Sequence, residues 1–151
     1  MGAFRLPPRT GEWIDRGQAL EFEFEGAPAR GFAGDTVTSA LLGGGTRVLG
    51  RSFKYHRPRG VLSFANHDIN VLLETGQRIN IRGDVEPLVA GERYRAVNTF
   101  GGLRRDRARF IEKLAAFLPT GFYYKAFYRP AASFPFWERL IRHLSGLGRV
   151  N

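Results

Sequence analysis

The chain has 151 residues, 43% of them apolar, a net charge of +9 and no cysteine. That length suits one domain with a real core, or a small domain with a docking extension, and the apolar share excludes wholesale disorder. The missing thiols exclude disulfides, thiol nucleophiles and any zinc or iron–sulfur site built on cysteine, and no apolar run nears the roughly 18 residues of a membrane span.

Residues 1–18 are rich in proline and glycine and read as an extended lead-in without the apolar core of a secretory signal, so a cytoplasmic protein is expected. Residues 20–25, Leu-Glu-Phe-Glu-Phe-Glu, alternate apolar and acidic, the period-2 pattern of a half-buried strand. Its acids Glu21, Glu23 and Glu25 then share one solvated face. A turn is expected at 26–28, with 29–33 returning as the hairpin partner. Asp35 is a good N-cap for a short helix over 36–42, which Gly43, Gly44 and Gly45 stop. A third strand is expected at 48–49, and further strands at 70–74, 78–82 and 91–97. Short strands around one early helix predict an α+β domain of about 100 residues, here 19–102. Gly101 and Gly102 read as a hinge. Beyond it, 103–151 reads as a helical and aromatic docking extension, with helices over 104–118 and 136–147. Their apolar faces (Phe110, Leu114 and Phe117; Trp137, Leu140, Ile141 and Leu144) exceed what one small domain covers, so part of them is expected to bury against another chain.

Charge is lopsided along the chain. Residues 1–50 carry five basic and six acidic side chains, and residues 51–151 carry eighteen and eight. The densest basic stretch is 50–60, Gly-Arg-Ser-Phe-Lys-Tyr-His-Arg-Pro-Arg-Gly, where Arg51, Lys54, Arg57 and Arg59 are interleaved with Phe53, Tyr55 and His56 and no acid offsets them. Flat rings mixed with fixed charge suit a surface that grips something anionic, aromatic or both. Three readings stand: an edge whose arginines pair with the domain's own acids, an anchor between subunits, or contacts to a cofactor phosphate or anionic substrate completed in an assembly. A second strip, 119–130, holds Phe122, Tyr123, Tyr124, Lys125, Phe127 and Tyr128. Five aromatics in seven residues exceed what one helix face needs, and such rings are enriched in interface hot spots. With Trp137, they are expected to clamp a partner chain.

Taken in order, Gly-Asp-Thr-Val at 34–37 with Ala-Leu-Leu at 40–42, the whole basic strip at 50–60, Pro-Thr-Gly-Phe-Tyr-Tyr-Lys-Ala-Phe at 119–127, and Ile-Arg at 141–142 with Gly-Leu-Gly at 146–148 resemble the N-terminal region of the alpha subunit of heterotetrameric sarcosine oxidase. The resemblance implies a β-grasp domain of the 2Fe-2S ferredoxin type followed by a helical tail. In related amine, opine and proline dehydrogenases the same domain holds a [2Fe–2S] cluster on a Cys-x4-Cys-x2-Cys run and a fourth cysteine. Laid onto this chain those positions fall at about Ser63, Asp68, Val71 and Val97, and none is a thiolate, so a cluster-less domain is expected. The resemblance further implies flavin-binding partner subunits that hold FAD, FMN and NAD. No cofactor is expected on this chain alone. A full alpha subunit continues into a dinucleotide-binding and a folate-binding domain, and no Gly-x-Gly-x-x-Gly occurs here. Gly43–Gly45 ends a helix, so it fails the context of a dinucleotide fingerprint. The chain is therefore expected to be a detached subunit or a piece of one.

No catalytic residue is expected. His56 is the best isolated general-base candidate but has no orienting carboxylate near it in sequence, and His67–Asp68 is a loop dyad. A different class, a stand-alone nucleic-acid-binding protein, would use the same basic and aromatic interleaving. The lack of a helix-turn-helix, RNA-recognition or zinc-finger motif argues against it.

Overall fold

A computed structural model describes residues 4–65, 67–117 and 131–145. The chain opens with β1 (Asp15–Phe24) and β2 (Ala27–Ala33), then α1 (Val37–Gly43), β3 (Gly50–Arg51), β4 (Pro58–Arg59), β5 (Leu72–Glu74), β6 (Ile81–Arg82) and β7 (Arg93–Ala96). A 3-10 segment (Arg107–Phe117), a short one (Ala131–Ser133) and α2 (Phe134–Ser145) follow. One sheet runs β2-β1-β7-β5-β6, and β3 with β4 forms a separate small hairpin. The central β1–β7 pair is parallel and the other pairs of the sheet are antiparallel. This mixed sheet with few helices is an α+β, ferredoxin-like arrangement.

The predicted alternation is realised in β1: Phe22 and Phe24 point into the core and Glu21 lies outside. The turn, however, sits at Glu25–Gly26, both with positive φ (54° and 76°), not at 26–28. That two-residue reversal matches the twist of the flanking strands, so β2 begins at Ala27 and includes Pro28. Proline is tolerated there because β2 is the sheet's edge.

The core is a single cluster drawn from both sheet and helix, including Phe22, Phe24, Val37, Leu41, Leu49, Leu73 and Tyr94. Gly31 lets α1 approach β2: a Cβ there would lie 2.5 Å from Leu88 Cδ2 and 2.7 Å from Ala40 Cβ. The helix is capped by Thr36, not Asp35. Thr36 Oγ1 accepts from Ser39 N–H, and Ser39 Oγ accepts from Thr36 N–H, a reciprocal capping box. Asp35 is buried and committed elsewhere. It accepts the Phe32 N–H at 2.9 Å, the Ser39 hydroxyl at 2.6 Å and two bonds from Arg5 at 3.2 and 2.8 Å. Through Arg5 it ties the lead-in to the domain.

Three expectations change around the Gly101–Gly102 step. Glu25, read as solvated, instead accepts the Ala96 N–H and the Leu103 N–H, each at 2.7 Å. It therefore stitches the β1–β2 turn to the chain on both sides of that step, where a loose hinge was expected. The helix expected over 104–118 forms as the 3-10 segment Arg107–Phe117. The second predicted helix is present as α2, two residues earlier at each end. Among the described residues no helix is long and apolar enough to cross a membrane. The aromatic strip Phe122, Tyr123, Tyr124, Lys125, Phe127 lies outside the described residues.

Candidate functional site

The basic strip does not run as one ribbon of exposed charge. It folds back on itself, with Gly50 facing Arg59 and Arg51 facing Pro58. The loop between them is closed by Ser52, whose N–H donates to the Arg57 carbonyl at 2.9 Å, whose carbonyl accepts the His56 N–H at 2.9 Å, and whose hydroxyl accepts the Arg57 N–H at 3.1 Å. His56 takes a φ of 51° to complete this reversal. A non-glycine residue in that region marks a constrained position.

The constraint places two side chains inward. His56 is only 3% exposed, and its Nδ1 lies 2.7 Å from Asp106 Oδ2. Arg51 is also buried. Its Nη1 donates to the His56 carbonyl at 2.7 Å, its Nε and Nη2 reach the Leu103 carbonyl at 3.4 and 3.3 Å, and its Nε stands 3.4 Å from Asp106 Oδ2. Asp106 completes the cluster by accepting the Phe100 and Ala108 N–H groups on Oδ1 at 3.0 and 3.1 Å. Burial alone would push the Asp106 carboxyl up. The Phe100 N–H, the His56 ring and the Ala108 N–H outweigh it and hold the group below the ordinary carboxylate range. With Asp106 ionised, the shared proton sits on His56 Nδ1, which donates. The Phe100 ring packs against the imidazole at a centroid distance of 5.8 Å.

Sequence reasoning gave His56 no carboxylate. The partner is Asp106, fifty positions away. A signal was present: Asp106 is the single acid in the run Arg104-Arg105-Asp106-Arg107. The pair has the form of an oriented general base, but its burial keeps the imidazole from a substrate, and its chemistry here is that of a clasp between the hairpin and the segment after β7.

In the rest of the strip Lys54 and Tyr55 are half-buried, and Phe53 and residues 57–59 are exposed. Tyr55 lies between two cations, with Lys54 Nζ 4.8 Å and Arg57 Cζ 4.6 Å from its ring centroid. Phe53, Arg57 and Arg59 are exposed, and Arg59 donates to Asn70 Oδ1 at 3.0 Å. Between this hairpin and the chain near Asn70 runs a groove of about 200 Å³, lined among others by Phe53, Arg59, Ile69 and Asn98. Trp137, on α2, is partly exposed.

Residues 17–99 match the family model described as a 2Fe-2S iron-sulfur cluster binding domain. The chain belongs to that family. It is 40% identical to the sarcosine oxidase alpha subunit of Rhizobium meliloti (strain 1021), over all of this chain and 16% of that protein. It is 38% identical to the sarcosine oxidase alpha subunit of Corynebacterium sp. (strain P-1), over half of this chain and 8% of that protein. The resemblance to the N-terminal, ferredoxin-like region of sarcosine oxidase alpha subunits, read from the motifs, therefore holds along the whole chain, which spans only a small part of these relatives. A crystal structure of L-proline dehydrogenase from P. horikoshii superposes with a TM-score of 0.47 at 18% identity, covering 57% of this chain and 17% of that one.

The family's description implies a cluster, and the residues present do not fit one. The chain has no cysteine. At the positions where the resemblance puts the ligands, Ser63 offers a hydroxyl, Asp68 a carboxylate, and Val71 and Val97 are buried alkyl side chains. Val71 points into the core, with Cγ1 3.2 Å from where a Cβ on Gly83 would stand. Among the described residues, no group of three or more His, Asp or Glu could hold a metal ion.

Proposed function

We propose that this chain is a non-catalytic assembly part, either a small subunit or the detached N-terminal part of an alpha subunit, of a flavin-dependent, sarcosine-oxidase-like complex that oxidises a secondary or N-methyl amine. FAD, FMN and NAD belong to the partner subunits in this reading, where the flavin takes the hydride from the carbon beside the amine nitrogen. The domain itself is a β-grasp unit whose sheet wraps α1. It works in the cytoplasm and lacks a complete active site of its own.

One observation carries the docking role: the division of the basic strip into an inward half and an outward half. Arg51 and His56 are spent on Asp106 and on backbone carbonyls. Their burial fixes a hairpin that offers Phe53, Lys54, Tyr55, Arg57 and Arg59 together. Rings and guanidinium groups on a fixed support suit the centre of a protein interface, because little side-chain freedom is then lost on binding. The partner face is apolar with an acidic rim. Phe122, Tyr123, Tyr124, Lys125, Phe127 and Trp137 extend the contact from the C-terminal side.

Co-expression with the flavin-bearing chains of a sarcosine oxidase, followed by size-exclusion chromatography, tests this. Flavin absorbance eluting with this chain at a fixed ratio is expected. Elution of this chain alone, as a stable monomer beside a complete flavin complex, overturns the proposal. Tight, salt-sensitive binding to DNA or RNA would do the same.

A further inference from the structure

We propose that the Asp68 carboxylate is the built-in anionic centre that orders the described residues of the loop between Val61 and Val71, a protein-supplied substitute for the cluster that the family's description places in such a domain. Apolar burial pins the segment only near its ends, where Val61 packs against the core and Val71 lies in it, so the stretch between them needs a centre. Leu62, Phe64 and Ile69 are 80%, 57% and 70% exposed, and the described residues from 60 to 70 contain no strand or helix. Between those anchors, exposed apolar side chains gain little from the hydrophobic effect, so order there has to come from polar bonds.

Asp68 supplies them. Its side chain is buried and accepts three backbone N–H groups: Leu62 at 2.6 Å and Ser63 at 3.1 Å on Oδ2, and Asn70 at 2.8 Å on Oδ1. Both ends of the loop thus converge on one anion. Bonds from amides to a charged acceptor are stronger than neutral ones. The centre is itself anchored. Asp68 N–H donates to Asp84 Oδ2 at 2.9 Å, and Arg82 grips Asp84 through two bonds at 3.1 and 2.7 Å. Arg59 on the basic hairpin reaches the same loop through Asn70. The loop shape is therefore set by the protein's own groups, and it leaves Leu62, Phe64 and Ile69 exposed, with Ile69 lining the groove beside the hairpin.

Amide hydrogen exchange on the full chain tests this inference independently of whether any partner binds. In Asp68→Ala, the Leu62, Ser63 and Asn70 amides should exchange at least about tenfold faster, the equivalent of one lost charge-assisted bond, while Leu73 and Tyr94 keep wild-type rates. Asp68→Glu should fall between the two. Wild-type exchange at those three amides in the folded Asp68→Ala chain overturns the inference. If Asp68→Ala does not fold, an acid titration of the wild-type chain by NMR decides: the three amide resonances should move with the Asp68 carboxyl carbon, and independent movement overturns it.

Discussion

Two buried aspartates organise this chain, and they do so in opposite ways. Asp106 joins segments that are far apart in sequence, and it does so mainly through other ionisable side chains, His56 and Arg51. Asp68 gathers the backbone of its own loop, from residues within six positions of itself. Both carboxyls are pushed up by burial and, on balance, held below the ordinary range by the hydrogen bonds they accept. The comparison teaches that a long-range clasp and a local loop centre use the same chemistry but fail differently. Loss of the clasp strands buried charge, whereas loss of the loop centre frees a few amides that water can reach.

The largest effect is therefore expected at the clasp. Asp106→Ala leaves Arg51 and His56 buried without their carboxylate and should cost about 3–5 kcal/mol of stability, read as a lower urea midpoint. An effect as small as that of a surface substitution would show that the clasp is not holding the fold. Next comes the turn stitch. Glu25→Ala removes the acceptor for Ala96 and Leu103 and should cost about 1–3 kcal/mol, measured the same way.

The acid limb sharpens the comparison. Both aspartates have folded-state pKa values below their unfolded ones, so each adds stability that is full above the unfolded value. That stability is lost as pH falls through the folded one. Urea midpoints should hold steady above the ordinary aspartate value of 3.8 and decline below it. Asp106→Asn, already weakened, should decline less. A wild-type decline that the variant reproduces in full would assign the acid sensitivity to other groups. The smallest effect on stability, within about 0.5 kcal/mol, is expected for the exposed pair Arg57 and Arg59.

Much of the fold was readable from local pattern. The alternation at 20–25 became β1, the apolar spacing at 37, 40 and 41 became α1, and 91–97 brackets β7. What escaped depends on bonds that no local window contains. Thr36 caps the helix because Asp35 is drawn to Arg5, thirty residues away. Glu25 looked solvated because its acceptors' partners, Ala96 and Leu103, lie more than seventy residues downstream. The three readings of the basic strip stayed open because composition cannot say which arginine turns inward; Arg51 does, onto the Asp106 carboxylate and the His56 and Leu103 carbonyls. Asp68 was visible as a position without a thiol and as half of a loop dyad with His67, and its work as an acceptor of three amides follows from the loop's closure.

The claim most in need of trial is that the inward half of the strip holds the fold while the outward half meets a partner. Co-purification of Arg57→Glu/Arg59→Glu with the flavin-bearing chains, alongside its urea midpoint, tests both halves at once. The account predicts a chain as stable as wild type that no longer enters the complex. A variant that assembles as fully as wild type would contradict it.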